Sequence, residues 1–348
     1  MNNPERDLRH AALVFVKKLL NLKKGQRLLL YVDQGSDLDV AEGIQDAALE
    51  IGALTEILEL ASNLKLSDLV EELVCKIEKR AYDVICELSE QYFYPTLVWE
   101  RALQLGSQIY SLGAVNTDAF VRCVGKVDHD LMFQFGMVLK AILEKSKTLH
   151  IITKQGTNIR LRINSDNLLL KLFSKLKKRQ KPFVLYPSGA LQEVTRATFM
   201  GGQLAFQGFP ETINGKAIID AYLWPPSEIG RLDSPIIMKI KKGNVIAING
   251  LSSKSKFFDE WLQGLNKEIQ HFCIGFNPGA KLTGSLIEAE RVFGYISIGI
   301  GKYPFHSDGV IKDPSILLND QFIEQEGSFI QQELAILQKK LLRDTLVQ

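Results

Sequence analysis

The C-terminal half of the sequence contains a histidine and an aspartate spaced so that they can bind one metal ion together. They stand in the segment Phe305-His306-Ser307-Asp308-Gly309. If this segment is extended, its side chains alternate between two faces, and His306 and Asp308 point to the same side. The alternative is a histidine that hydrogen-bonds its neighbour's carboxylate in a loop, because an H-x-D pair alone is a weak signal.

A third ligand has to come from a separate strand, and His271 is the candidate. It begins the segment His271-Phe272-Cys273-Ile274-Gly275, which runs into a turn of Gly, Asn and Pro residues. Two imidazoles and one carboxylate on one face, with open positions opposite, form the arrangement that suits non-haem ferrous iron. Zinc also accepts such a set, with water as the fourth ligand.

The strand from Tyr295 to Gly301 offers space beside such a site. Its isoleucines alternate onto one face, whereas Tyr295, Ser297 and the two glycines fall on the other. Small and hydroxylated residues leave room for a ligand. Close packing against a neighbouring strand or helix explains the same pattern.

The remaining histidines favour structural roles. His129 lies in Val127-Asp128-His129-Asp130, near a predicted helix start where acidic residues complement the helix dipole. His10 lies among charges on an N-terminal helix, and His150 opens a strand.

The N-terminal half alternates strands and helices. Arg27 to Val32 is a short apolar run typical of a strand buried on both faces. A helix from Val40 to Ile51 and a second strand from Thr55 to Leu60 complete a β-α-β unit, which predicts a Rossmann-like parallel sheet. Acidic residues follow the first strand, but no G-x-G-x-x-G motif accompanies them, so a nucleotide site is not predicted.

The C-terminal half is rich in strands separated by Gly, Pro and Asn turns, among them a predicted hairpin turn at Lys242-Gly243-Asn244. The predicted fold class is therefore α/β, with an N-terminal Rossmann-like domain at residues 1–146 and a C-terminal α+β domain with a mixed or antiparallel sheet at residues 147–348. Helical spacing from Gln321 to Leu346 predicts a C-terminal packing or oligomer-contact helix.

Composition excludes several classes of protein. The 348 residues carry 42 Lys plus Arg and 40 Asp plus Glu, a net charge of +2, which gives no general attraction to nucleic acid or membranes. The four cysteines lie far apart, so a disulfide scaffold is not expected. With no apolar signal segment at the N-terminus, we expect a cytoplasmic protein. The basic run from Lys171 to Lys181 is interpreted as a solvated amphipathic helix.

A set of short motifs resembles the aminopeptidase T-like metallopeptidases and their relative 2,5-dihydroxypyridine 5,6-dioxygenase. Their order and spacing over Thr153 to Pro314 match the family, and the resemblance covers most of the chain. The motifs are Gly156-Thr157-Asn158, Met200-Gly201-Gly202-Gln203, Ile213-Asn214-Gly215, Lys242-Gly243-Asn244-Val245, Ile274-Gly275-Phe276-Asn277-Pro278, the Gly294 to Gly301 strand and His306-x-Asp308.

Departures from the family distinguish its two branches. The peptidase branch has carboxylates or a histidine where this sequence has Gln203, His271 and Ser297. Neutral groups at these places cannot supply the bridging charge that a two-metal site needs. The resemblance to the dioxygenase branch implies that His271, His306 and Asp308 are iron ligands and that Ser297 belongs to the same metal site as a further ligand, although the loop after Ser297 is shorter here.

The resemblance further implies an Fe(II)-dependent enzyme that uses dioxygen to cleave a hydroxylated aromatic ring such as a dihydroxypyridine. Zn or Co is the alternative cofactor, for an aminopeptidase-like activity, and a non-catalytic family member that binds a small molecule or partner is a further alternative. The family also implies a homo-oligomer. His129 is the candidate for the base, and Tyr303 is the candidate for orienting the substrate. Candidate substrate contacts are Gln203, Tyr295, Phe276 and Phe305.

Overall fold

The structure is a computed structural model that describes residues 3–164, 181–192, 195–302 and 306–347. Tyr303, Phe305 and most of the basic run 171–181 lie outside these residues. The chain divides into two compact units, one of residues 1–129 and 188–201 and one of residues 130–187 and 202–347. The segment 188–201 adds a strand to the first unit, and the predicted domain boundary at residue 146 stays a prediction.

The elements of the described residues are numbered in chain order. The helices are α1 (Pro4–Val14), α2 (Leu38–Glu50), α3 (Leu66–Lys79), α4 (Leu97–Gln104), α5 (Thr117–Phe120), α6 (His129–Lys145), α7 (Ser253–Trp261), α8 (Leu286–Ala289) and α9 (Gln332–Val347). The strands are β1 (Arg27–Val32), β2 (Leu54–Glu59), β3 (Val84–Glu87), β4 (Gln108–Ser111), β5 (Thr148–Ile152), β6 (Asn158–Arg162), β7 (Phe183–Val184), β8 (Ala197–Phe199), β9 (Gln203–Gln207), β10 (Asn214–Ile219), β11 (Tyr222–Trp224), β12 (Gly230–Arg231), β13 (Ile236–Lys241), β14 (Asn244–Asn249), β15 (Ile269–Gly275), β16 (Ile296–Ile300), β17 (Ser307–Ile311), β18 (Ser315–Leu318), β19 (Gln321–Gln325) and β20 (Ser328–Phe329).

The first unit is built on a five-stranded parallel sheet with the order β2-β1-β3-β4-β8. All residues of β1 after Arg27 are buried, as expected for a parallel strand that is covered on both faces. Side chains of β1 and β3 pack with Leu73 of α3 and Trp99 of α4 in one apolar cluster. The predicted Rossmann-like sheet is confirmed.

The acidic residues that follow β1 accept hydrogen bonds from the backbone of neighbouring loops instead of facing an open ligand site. The carboxylate of Asp33 accepts hydrogen bonds from the backbone N–H groups of Glu90 and Gln91, at 3.0 and 2.9 Å. Asp37 caps α2 and accepts a hydrogen bond of 2.7 Å from the N–H of Thr117. These carboxylates therefore connect segments that are distant in sequence, at the carboxyl edge of the sheet.

One carboxyl group, Glu87 on β3, is fully buried in the first unit. The hydroxyl of Tyr31 donates to it at 2.6 Å, and the indole N–H of Trp99 donates at 2.9 Å. Burial raises the pKa of Glu87 to about 7, although these donors lower it in part.

The second unit contains two antiparallel sheets. The first has eight strands in the order β14-β13-β10-β6-β5-β18-β19-β20, and the second has seven in the order β12-β11-β17-β16-β15-β9-β7. The predicted hairpin joins β13 to β14 through Lys242 and Gly243, whose φ angles of 48° and 75° suit a tight turn between twisted strands. An aromatic core surrounds Phe135 of α6, with ring centroids of Phe276, Phe293 and Phe329 at 5.0 to 5.6 Å. The predicted mixed α/β fold class is confirmed.

The predicted C-terminal helix is wrong for residues 321–331. This segment forms β19 and β20, which extend the eight-stranded sheet from β18, and α9 begins only at Gln332. Glu326 and Gly327 take positive φ angles and turn the chain between the two strands. A free sheet edge at β18 thus outweighs the local helical spacing.

Within the described part of the chain, no helix is both long enough and apolar enough to cross a membrane.

Candidate metal centre

The candidate centre lies on three neighbouring strands of the seven-stranded sheet, β15, β16 and β17. Cross-strand pairing places His271 opposite Gly299, and Gly299 opposite Asp308. Residues paired across antiparallel strands project to the same face, so His271 and Asp308 flank the gap that Gly299 leaves between them. His306 directly precedes β17 and completes the group.

The three side chains converge on a common point. His271 Nε2 lies 3.0 Å from Asp308 Oδ1, and His306 Nε2 lies 3.2 Å from Asp308 Oδ2. The two imidazole rings are 5.0 Å apart between centroids, with their planes tilted by 30°. One donor atom from each residue lies within 4.8 Å of the other two, which is close enough for all three to bind one ion.

Three details of the surroundings fit a metal ion. A Cβ atom at Gly299 would lie 2.4 Å from His271 Cε1, so the glycine is what makes room for the ring. The Nδ1 of His306 lies 2.8 Å from the carbonyl oxygen of Gly301, a contact that fixes the ring and leaves Nε2 to face the centre. Buried Asp308 Oδ1 faces His271 Nε2 at 3.0 Å but makes no hydrogen bond of suitable geometry with any described residue, and a cation bound by both atoms would satisfy it.

The electrostatics of the group favour positive charge beside the carboxylate of Asp308. Burial opposes ionisation of Asp308, but the facing imidazoles of His306 and His271 outweigh it and hold the pKa of this carboxyl well below its usual range. Burial likewise opposes charge on His306, and the Asp308 carboxylate outweighs it, raising the pKa of His306 to about 9. A carboxylate between two imidazoles is thus complementary to a bound cation.

A second group of polar side chains adjoins the first, and sequence reasoning missed its main member, Glu290. The next cross-strand pair along the same face joins Cys273 to Ser297. The hydroxyl of Ser297 donates to Glu290 Oε1 at 2.9 Å, and donor atoms of His271, Cys273 and Glu290 lie within 4.8 Å of one another. The signal available in the sequence was an acidic residue between the short helix α8 and a glycine-rich strand. Burial, followed by the nearby Asp308 carboxylate, raises the pKa of Glu290.

The predicted ligand Ser297 thus contacts Glu290, and its role as a metal ligand stays a prediction. Gln203 on β9 is buried and pairs with Gly275 of β15. It lies on the sheet face that also carries Cys273. Tyr295 packs against an apolar cluster that includes Tyr222.

Two further candidates have structural contacts. Phe276 is fully buried and packs 5.1 Å from Phe135, so the structure gives it a place in the core. His129 belongs to the first unit, is buried, and has Nε2 at 2.8 Å from the carbonyl oxygen of Val124, in agreement with the structural alternative for this residue. The roles predicted for Tyr303 and Phe305 fall outside the described residues.

Two solved structures have this fold over nearly the whole chain. The structure of 2,5-dihydroxypyridine dioxygenase from Pseudomonas putida KT2440 is similar with a TM-score of 0.72 and 15% identity, covering 94% of this chain and 98% of that chain. AmpT, aminopeptidase T, from Thermus thermophilus is similar with a TM-score of 0.63 and 10% identity, covering 94% and 99%. No protein-family model matches the chain, and no curated protein matches it by sequence. The predicted resemblance is therefore confirmed at the level of the fold.

Proposed function

We propose that the chain is a metal-dependent enzyme with one non-haem ferrous ion bound by His271, His306 and Asp308. The observation that carries this proposal is the convergence of the three donor atoms on one face of the sheet. Two neutral imidazoles and one carboxylate leave open positions on the ion, as ferrous oxygenases require. The reaction class that we propose is cleavage of a hydroxylated, nitrogen-containing aromatic ring with dioxygen.

The donor set favours this reaction over two-metal peptide hydrolysis. A two-metal site needs carboxylates that bridge ions about 3.5–4 Å apart. The triad contributes one carboxylate, and the residues at the other family positions, Gln203 and Ser297, are uncharged. The nearby carboxylate of Glu290 is held by Ser297 and Arg291 and does not lie between the three triad donors. The dioxygenase that shares the fold has a dihydroxypyridine in its name, which supports a substrate of the same class here.

The chain's own residues would hold the ion and shape the space beside it. When bound, ferrous iron supplies the redox chemistry that lets a singlet aromatic substrate react with triplet dioxygen. His271 and His306 present neutral nitrogen donors, and the carbonyl of Gly301 keeps His306 in the required orientation. Asp308 neutralises part of the charge of the ion. Gly299 of β16 makes room for the His271 ring, and Gln203 and Tyr295 are the proposed substrate contacts.

The proposal is tested by metal content and oxygen consumption. Protein purified without oxygen and loaded with ferrous iron should retain about one iron per chain and consume oxygen with a dihydroxypyridine. His306→Ala should lose both properties, whereas His150→Ala, which removes an imidazole that contacts Asn158, should keep them. Full iron retention by His306→Ala would overturn the ligand assignment. Release of a chromophore from leucine anilide, without oxygen uptake, would instead establish the aminopeptidase alternative with Zn or Co.

A further inference from the structure

We propose that His271, Cys273 and Glu290 form a second cation position that prefers thiophilic ions and competes with the iron triad for His271. Zinc bound there would exclude iron from the proposed active centre, so this position would control which metal the chain carries. The competitive part of the inference rests on the proposed function. The existence of the second position does not.

The geometry of this second position follows from the register of the strands. His271 and Cys273 are two residues apart on β15, so both side chains project to the same face. Glu290 follows α8 and reaches the same place from outside the sheet. The imidazole nitrogen, the thiol sulfur and a carboxylate oxygen lie within 4.8 Å of one another.

The surroundings keep Glu290 in place. Ser297 donates to Glu290 Oε1 at 2.9 Å, and the buried guanidinium of Arg291 lies 3.6 Å from Glu290 Oε2. The same guanidinium donates to the carbonyl of Ile287 at 2.6 Å, which ties it to α8. The carboxylate is therefore oriented before any ion arrives, and a cation has to compete with Arg291 for one of its oxygens.

The two donor sets differ in the metal that they favour. The triad offers nitrogen and oxygen only, whereas the second position adds a sulfur. Thiolate ligands select zinc and other thiophilic ions, and three protein ligands with a water molecule are a common zinc arrangement. Zinc also lies above ferrous iron in the general affinity order of divalent metals. Cys273 thus adds least to the binding affinity for ferrous iron and most to the binding affinity for zinc.

Sharing of His271 makes occupation of the two positions mutually exclusive. A neutral imidazole has one nitrogen with a free lone pair, because the other nitrogen carries the proton. An ion that takes this lone pair together with Cys273 and Glu290 leaves His306 and Asp308 as an incomplete pair. The chain then binds iron weakly, although both remaining triad residues are present.

Cobalt(II) titration of the metal-free chain tests the second position directly, because a cobalt–thiolate bond gives a charge-transfer absorption in the near ultraviolet. We expect this band in the wild-type chain and in His306→Ala, which breaks the triad alone. We expect its loss in Cys273→Ser and in His271→Ala. Cys86→Ser is the matched control, because Cys86 is buried in the first unit, and it should keep the band. Absence of the band from the wild-type chain, or its persistence in Cys273→Ser, would overturn the proposal.

Competition is tested on iron-loaded protein titrated with zinc in the absence of oxygen. Cys273→Ser should raise the zinc concentration that displaces half of the iron by at least about tenfold, since even indirect changes around a metal cost 10–100-fold in affinity. Equal displacement in both chains would refute the competition. A cobalt band that depends on Cys273, in a chain without oxygen uptake on any dihydroxypyridine, would support the second position while removing the proposed function. Near-ultraviolet circular dichroism of each variant shows that it is folded.

Discussion

Replacement of Gly299 by alanine tests the geometry of the proposed centre without removing a ligand. An alanine Cβ would lie 2.4 Å from His271 Cε1 and 2.7 Å from each ring nitrogen. Ordinary contact begins at 3.4 Å, so the ring has to move by about 1 Å. The imidazole is the end of a side chain, and we expect it to rotate away while the strand stays in place.

The expected result is a chain that folds normally and binds iron poorly. A displacement of about 1 Å takes the nitrogen of His271 out of bonding distance, because metal–nitrogen bonds are near 2.0–2.1 Å. We expect iron affinity to fall about 10–100-fold, the range found when the orientation of a ligand is disturbed. The thermal midpoint of the metal-free chain should stay within a few degrees of that of the wild-type chain.

The assay is anaerobic competition for ferrous iron with a coloured chelator, beside thermal unfolding of the metal-free protein. Gly43→Ala on α2 is the matched control, because a Cβ there would meet Leu8 at an ordinary 3.5 Å. It should leave iron affinity unchanged. Wild-type iron affinity in Gly299→Ala would refute the ligand role of His271. A large loss of stability in the metal-free chain would show that the backbone moves instead of the ring.

Three further predictions concern charge and packing. Asp308→Asn should abolish iron retention, because the amide removes the negative charge of the triad while nearly preserving the shape of the side chain. Metal analysis after gel filtration measures the iron that remains. Retention of iron would contradict the role of Asp308 as a ligand. Burial raises the pKa of Glu87 to about 7 from 4.5, so the folded chain keeps a proton that the unfolded chain loses. This proton contributes up to about 3 kcal/mol to the free energy of unfolding. The contribution is fully present below pH 4.5 and is lost as the pH rises through 7. Urea unfolding from pH 4 to 8 should show the decline in the wild-type chain and a flatter profile in Glu87→Gln. Phe135→Ala should lower the free energy of unfolding by about 3–5 kcal/mol through the cavity left among three aromatic rings, and a loss below 1 kcal/mol in urea would show that the core closes over it.

The sequence predicts which three side chains meet at the candidate centre, but it does not predict the polar groups around them. His306 and Asp308 are two positions apart, so period-two alternation alone places them on one side. The approach of His271 depends on which strands pair and in what register, which comes here from the resemblance to known enzymes. Glu290 was missed because it lies outside any strand and reaches the site through Ser297. No short-range pattern encodes that contact.

The predicted C-terminal helix failed for the same reason. The helix expected from Gln321 had suitable apolar spacing, but β18 offered an edge for two more strands. The segment 188–201 returns to the first unit because β8 pairs with β4, a partner far away in sequence. The apolar run from Arg27 to Val32 predicted β1 with its correct ends, because a strand covered on both faces is apolar along its whole length.

The pairing of β15 and β17 with β16 determines whether the proposed metal centre can form. Donors from His271 and Asp308 meet only when both outer strands have aligned on β16. A slip of β17 by one residue would turn Asp308 to the opposite side of the sheet. Chain fragments that stop before residue 308 have no complete triad, so retention of the proposed iron would report that these strands have found their partners.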